Sequence, residues 1–393
     1  MKLPSVFLAL LLAAAPLHAA SPFLETVDLF KAGDGGYKFY HIPGIVVTAK
    51  GTVLAWAEAR KNGSDWDTID ILTRRSTDDG KTWGEPTKLP EVAGAKAKNP
   101  FSKAKPAEST GWTYNNPVLI ADRDGTVHGL FCLEYMRAFY TRSADDGLTW
   151  SAPVEITGSF EGFRTAYDWK VLATGPNHGI QLKNGRLVVP VWLSLATGSW
   201  GHHPSVTATI FSDDAGKTWK TSEIAVPNTE EWIDPNETTA VELSDGSVML
   251  NVRNEAKANR RLVTVSKDGA TGWSKPRFDD ALVEPICMAS LVRLSTGPDR
   301  ILFSNPDNLT RTHGEEAPGK GRDRKNVTIR LSYDEGWTWP VKKSLDPAAG
   351  GYSDLAVTPA GTILCFFGKP DRLLVARTNL EWLTDGQDSL TKK

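Results

Sequence analysis

One octapeptide pattern recurs along this chain and constrains the fold more than any other feature. Ser76-Thr77-Asp78-Asp79-Gly80-Lys81-Thr82-Trp83 returns as Ser143–Trp150, Ser212–Trp219 and Ser332–Trp339, with a worn copy at Ser266–Trp273. The copies therefore start at Ser76, Ser143, Ser212, Ser266 and Ser332, a nearly regular spacing. The serine and aspartate side chains suit a tight turn because they accept hydrogen bonds from its N–H groups. The glycine tolerates a positive φ, and the tryptophan can cover the turn with apolar area. Short apolar runs flank each copy, including Ile42–Thr48, Thr52–Ala59, Ile69–Arg75, Leu187–Val191 and Val248–Val252. Asp124-Gly125, Asn184-Gly185 and Asp245-Gly246 separate others as turns. No long amphipathic helix is evident. Four short strands in each interval describe a propeller blade, and the chain length gives six. The expected fold is an all-β, six-bladed β-propeller, with the octapeptide stabilising turns and doing no chemistry.

The stretch from Met1 to Ala20 reads differently. Lys2, an apolar run from Val6 to Ala15 and the small residues Ala19-Ala20 follow the pattern of a cleaved export signal. The run is too short to span a bilayer, and no other stretch is long enough. The expectation is a periplasmic or secreted protein without a membrane anchor, whose residues 21–393 form a single catalytic propeller. Lysine and arginine are dispersed and the formal net charge is −2, which gives no reason to expect nucleic-acid binding. Three distant cysteines, Cys132, Cys287 and Cys365, fit neither a disulfide framework nor a metal-ligand spacing; each lies in an apolar run and reads as a buried thiol.

The octapeptide is the Asp-box, and with the motifs around it the chain resembles the sialidases. Tyr40-His41-Ile42-Pro43 is similar to the family's aromatic-Arg-Ile-Pro motif, with His41 where the family has an arginine. Ala57-Glu58-Ala59-Arg60 leads to Gly63-Ser64-Asp65. There Asp65 matches the family's acid/base aspartate, with Asp67 and Asp70 as competitors, and Arg60 matches an arginine that touches the sugar's 4-position. Asn116-Pro117 resembles a further sugar-contacting turn. Asn236-Glu237 precedes Val241–Gly246 and a segment ending in Arg253, similar to the family's catalytic glutamate and the arginine that follows it. Gly351-Tyr352-Ser353 matches the segment of the nucleophilic tyrosine, and Arg324 stands before it at a distance that suits the family better than that of Arg330. The resemblance implies Tyr352 as nucleophile, Glu237 as its base and Asp65 as acid/base, with Arg253, Arg324, His41, Arg60 and Asn116 binding substrate.

The chemistry of the substrate asks for the same residue types. Sialic acid carries a carboxylate on its anomeric carbon, and the planar fork of arginine is its best partner. A carboxylate nucleophile would approach that anion against repulsion, whereas a neutral tyrosine does not; sialidases are an exception to the two-carboxylate rule of glycosidases for this reason. A phenol is a weak nucleophile at neutral pH and needs a neighbouring base. The expectation is a retaining exo-α-sialidase acting on sialylated glycans as a monomer, with no cofactor and no metal. His178 reads as structural. His202-His203 reads as an exposed loop without further metal ligands, and the Asn236-Glu237-Thr238 glycosylation acceptor as coincidental. His41 leaves three alternatives open: a sialidase whose clamp uses a protonated histidine, with activity shifted to acid; a glycosidase for another acidic sugar; or a glycan-binding propeller.

Overall fold

A computed structural model describes residues 20–102, 111–198, 201–315, 317 and 319–390. The export-signal stretch lies outside them, apart from Ala20. Six antiparallel sheets follow one another, each with four principal strands. The first is built from Phe39–Val47, Val53–Arg60, Ile69–Ser76 and Thr87–Lys88. The fourth runs Thr238–Glu242, Val248–Val252, Arg260–Ser266 and Arg277–Val283. The sixth takes Ser353–Val357, Ile363–Gly368 and Arg372–Thr378 from the C-terminal part of the chain and Leu24–Lys31 from the other end. That borrowed strand pairs along its length with Arg372–Thr378, so the ring is closed by backbone hydrogen bonds. First strands of neighbouring blades pack against one another near the axis, as Phe39–Val47 does against Tyr114–Ala121 and Ser353–Val357. The expected six-bladed propeller is what forms. The longest α-helix among the described residues is Leu380–Leu383.

The repeated octapeptide makes the same turn at every intact copy. In the first, the Ser76 hydroxyl donates to Asp78 Oδ1 at 2.8 Å and accepts from the Gly80 N–H at 2.9 Å. Asp78 also accepts from the Thr82 N–H and hydroxyl, at 2.9 and 2.6 Å. Asp79 and Gly80 both take positive φ, 66° and 78°, which explains the glycine. Gly147, Gly216 and Gly336 repeat it. Each box joins the third strand of a blade to the fourth. Third strands start at the end where first strands start and finish at the opposite end, so the boxes lie on the face away from first-strand starts.

The core lies between blades, in apolar clusters most of which draw on two neighbouring sheets, as does that of Val118, Leu130, Leu172, Val189 and Ala208. The three cysteines are buried free thiols, as expected.

Candidate active site

All eight residues expected at the site line one cavity: His41, Arg60, Asp65, Asn116, Glu237, Arg253, Arg324 and Tyr352. They converge because each sits at the same end of its blade. Glu237 and Tyr352 immediately precede first strands, Arg60 and Arg253 finish or follow second strands, and Arg324 precedes a third strand. The separation of Glu237 and Arg253 along the chain has a direct cause. They are arms of one hairpin, whose ladder extends past its strands through Arg253 N–H to Glu237 O at 3.0 Å.

Two bulges aim His41 and Asn116. The pairing of Phe39–Val47 with Val53–Arg60 slips between His41 and Gly44, and that of Tyr114–Ala121 with Val127–Leu133 slips between Asn115 and Val118. Bulges of this kind redirect side chains beside active sites. Ile42 and Asn116, each just before a proline, hold positive φ of 54° and 51°. For a β-branched isoleucine that is strained backbone, over-determined by its surroundings. Buried Trp56 ties the bulges together: its Nε1–H donates to Pro117 O at 3.1 Å and its ring fills the space over Gly44, where a Cβ would lie 2.1 Å from it.

Tyr352, 5 % exposed, donates its hydroxyl to Glu237, with both carboxylate oxygens 2.7 Å away. Arg253 Nη1 donates to the same carboxylate and, at 2.5 Å, to the Tyr352 oxygen. Burial pushes the Tyr352 phenol well above its ordinary value; Arg253 and Arg324 pull it down while Glu237 adds to the rise. Arg324 Nη2 donates to Ile286 O at 2.7 Å, and its guanidinium lies 5.1 Å from the centre of the Tyr352 ring. His41 packs on the same ring at 4.4 Å between centroids. Burial, then the charges of Arg60 and Arg324, hold the His41 imidazole well below its ordinary value, with Asp65 opposing. Before substrate arrives, the protonated His41 of one sequence alternative is therefore disfavoured, and the positive charge facing the cavity belongs to arginines.

Asp65 is half exposed on the loop between Arg60 and Ile69. Arg60 Nη1 donates to it at 2.6 Å. Burial raises its pKa, but Arg60, His202 and His41 outweigh that and bring it to about 2. Its competitors are placed elsewhere. Asp67 is buried and accepts from the Thr68 N–H, while Asp70 pairs with Lys88 at 2.7 Å and accepts from the Tyr37 hydroxyl at 2.6 Å. Arg330, the alternative to Arg324, pairs with Asp307 at 2.9 Å.

Several contributors were missed in the sequence. Fully buried Glu58 accepts from Arg60 Nε and Nη2, at 2.9 and 2.6 Å, and from the Asn116 N–H at 2.7 Å, holding both blades' ligands with one carboxylate. Its place just before Arg60 on the same strand, across the strand pair from His41, was the available signal. Buried Arg261 donates to Glu284 at 2.6 Å and to Cys287 O at 3.0 Å, fixing the turn that carries Ile286 and thereby Arg324. Asp354 accepts from the Ile45 N–H at 2.9 Å and the Ser290 hydroxyl at 2.7 Å and pairs with His178 Nδ1 at 2.8 Å. His178 is therefore structural, as read from the sequence, and joins blades at the axis.

The His202-His203 expectation is corrected. Both residues line the cavity rather than an exposed loop, together with Tyr135, Trp192 and Asn236. Asn236 is buried, and its Nδ2 donates to Asp234 O at 3.0 Å. His203 lies between two carboxylates, Nδ1 at 3.3 Å from Asp234 and Nε2 at 3.6 Å from Glu255. Ligand-type atoms of these three residues fall within 4.8 Å of one another, a grouping that the sequence did not reveal. With a different ring nitrogen turned to each carboxylate, the arrangement suits a histidine bracketed by two anions better than three ligands converging on one ion.

The family model described as a BNR repeat-like domain matches residues 102–365. The chain is 30% identical over 407 residues to a sialidase of Micromonospora viridifaciens, covering 95% of this chain and 56% of that protein. It is 31% identical over 367 residues to a sialidase of Bacteroides fragilis, covering 86% and 61% respectively. It therefore spans less than two thirds of the length of either relative. Among solved structures it is similar to a Hadza microbial sialidase, Hz136, with a TM-score of 0.72 and 25% identity over 91% of this chain and 69% of that one.

Proposed function

The chain belongs to the sialidase family of BNR-repeat proteins, and we propose from that premise that it is a retaining exo-α-sialidase, releasing terminal sialic acid from glycoconjugates. One observation carries the reading above the rest: a buried tyrosine hydroxyl donates to a glutamate while an arginine binds both. A core tyrosine has no need of a base and a cation at once.

Arg253 and Arg324 receive the substrate carboxylate, with His41 packed beside them. Arrival of that anion favours the protonated form of His41, which the arginines disfavour in the free site. Tyr352 Oη attacks the anomeric carbon as its proton passes to Glu237. The bond to the leaving oxygen breaks, and that oxygen takes a proton from Asp65. The free-site Asp65 is ionised, so the substrate must raise its pKa by displacing water and by bringing a negative charge near it. In the second half, Asp65 removes a proton from water, the hydroxide adds to the anomeric carbon as the bond from that carbon to Tyr352 Oη breaks, and the freed Tyr352 oxygen recovers its proton from Glu237. Two displacements retain the anomeric configuration. The leader-like start of the sequence supports an enzyme working in the periplasm or outside the cell.

The test is turnover of an α-sialoside carrying a fluorescent leaving group, followed by NMR of the anomer first released. Release of the α-anomer, abolished in Tyr352→Phe, is the expected result. No release by the folded protein across about pH 4 to 8 would turn the reading towards another acidic sugar or a glycan-binding propeller.

A further inference from the structure

The first strand of each blade pairs on one side only, with the second strand, so its other edge turns backbone groups towards the axis. Buried there, those groups need partners. Beside Tyr352 the partners come from across the ring. In the third blade, Val171–Thr174 and Ile180–Gln181 both pair with Leu187–Ser194, and the turn between them carries Asn177 and His178. Asn177 Nδ2 donates to Ala289 O at 2.9 Å and to Ser353 O at 3.1 Å. Both acceptors are carbonyls, which fixes the orientation of the amide. Ser353 directly follows Tyr352 and opens the first strand of the sixth blade, which stands opposite the third. Ala289 precedes the first strand of the fifth blade, Ser290–Thr296, and follows Met288, which packs with Tyr352, Ile42 and Cys287. Asp354 completes the arrangement: it pairs with His178 and accepts from the Ser290 hydroxyl and from the Ile45 N–H of the strand that carries His41. One amide thus holds the two segments that meet at the Tyr352 ring.

Asn177 is fully buried, and its φ of 76° is a conformation that glycine adopts with least strain. A turn needing only this backbone shape would be served by glycine, and a core needing only volume by an apolar side chain. Asn177 instead gives both amide hydrogens to two strand ends, while its Oδ1 is shut off from water and accepts no hydrogen bond among the described residues. A buried acceptor without a partner is costly, so stability alone is a poor account of this residue. Resting on the reading of Tyr352 as nucleophile, we propose that Asn177 is a positioning residue for it: from the opposite side of the axis it fixes the strand start that carries Tyr352 where the phenol meets Glu237 and Arg253. Misplacing a reacting group by about 1 Å costs about 10²-fold in rate. The Arg253 and Arg324 clamp on the substrate carboxylate does not run through Asn177, so a displaced Tyr352 affects the transition state and leaves ground-state binding unchanged.

The test uses two variants. Asn177→Gly suits the positive φ and removes only the amide. Asn177→Asp keeps the shape, and its carboxyl, buried against two carbonyls, stays protonated and donates one hydrogen bond in place of two. Kinetics on an α-sialoside with a fluorescent leaving group, run well below the Tm of each variant, are paired with NMR of protein labelled at the tyrosine Cζ atoms. The Tyr352 signal is assigned by its loss in Tyr352→Phe. In Asn177→Gly, kcat should fall about ten- to a hundredfold while KM stays within about twofold. Asn177→Asp should lose less, and in both variants the Tyr352 signal should move while those of the other tyrosines hold. A lower Tm with wild-type kcat and an unmoved Tyr352 signal would mean that Asn177 only stabilises the ring and would overturn the proposal, as would a loss carried by KM. If Asn177→Gly does not fold, Asn177→Asp decides by the same readouts. Absence of turnover in wild type would refute the sialidase reading alone, and the Tyr352 signal would then decide the role of Asn177.

Discussion

Replacing Glu237 with glutamine asks whether the glutamate removes the Tyr352 proton or merely holds the ring in place. Glutamine has nearly the same shape and can still accept from the hydroxyl, but it cannot take the proton. A phenol at its ordinary value is ionised to about one part in 10⁴ at pH 6. Burial pushes the Tyr352 phenol higher still, beyond what the two arginines recover. Attack by a pre-formed phenolate is therefore too rare to sustain turnover, and transfer to Glu237 must accompany attack. A positioned base contributes about 10²–10⁴-fold, so kcat for Glu237→Gln should fall by about that factor. KM should hold or fall, because Arg253 loses a competing anion and is freer for the substrate carboxylate. Steady-state kinetics on α-sialosides with good and poor leaving groups provide the assay, with near-UV circular dichroism to confirm the fold. Loss on both leaving groups is expected, since the base acts on the nucleophile and not on the departing oxygen. A loss below about tenfold would refute the assignment of Glu237 as the base.

Two further predictions concern the frame of the site. Gly44→Ala places a Cβ 2.1 Å from the Trp56 ring, which is fully buried and bonded to Pro117 O. Overpacking of this kind costs about 1–3 kcal/mol, and since Trp56 joins both bulges, denaturant unfolding should show lower stability together with a raised KM; unchanged values for both would contradict the role given to Trp56. The His203 imidazole is raised above its ordinary value, burial opposing but the nearby Asp234 and Glu255 carboxylates prevailing. Its contribution to stability is then complete below the unfolded-state value near 6.5 and is lost as pH rises through the folded value. The Tm difference between wild type and His203→Asn should be larger at pH 5.5 than at pH 8.5, and a difference independent of pH would show that His203 is not held as a cation.

The legible part of this protein was whatever repeats or is fixed by local pairing. Ser76, Asp78, Gly80 and Trp83 act within one turn, so their spacing survives in every intact copy and sets the blade repeat, from which the chain length gives six blades. Glu237 and Arg253 are partners across one hairpin, and a hairpin of given length fixes their separation in the chain. The eight site residues could be found by resemblance because each occupies the same end of its blade. What the sequence left undecided depends on blades meeting at the axis, where residues far apart in the chain become neighbours with no fixed spacing between them. Glu58 reads as one more acidic strand residue until the second blade brings the Asn116 N–H to it. Asp354 and His178 are remote in the chain and meet only when the ring closes. The charge of His41 belongs to the same class: an isolated imidazole titrates near 6.5, but burial among Arg60, Arg324 and Arg253 keeps this one neutral. His202 and His203 read as a polar loop because a sequence shows residue type and not enclosure. Only the tertiary structure closes three aromatic rings around one and two carboxylates around the other.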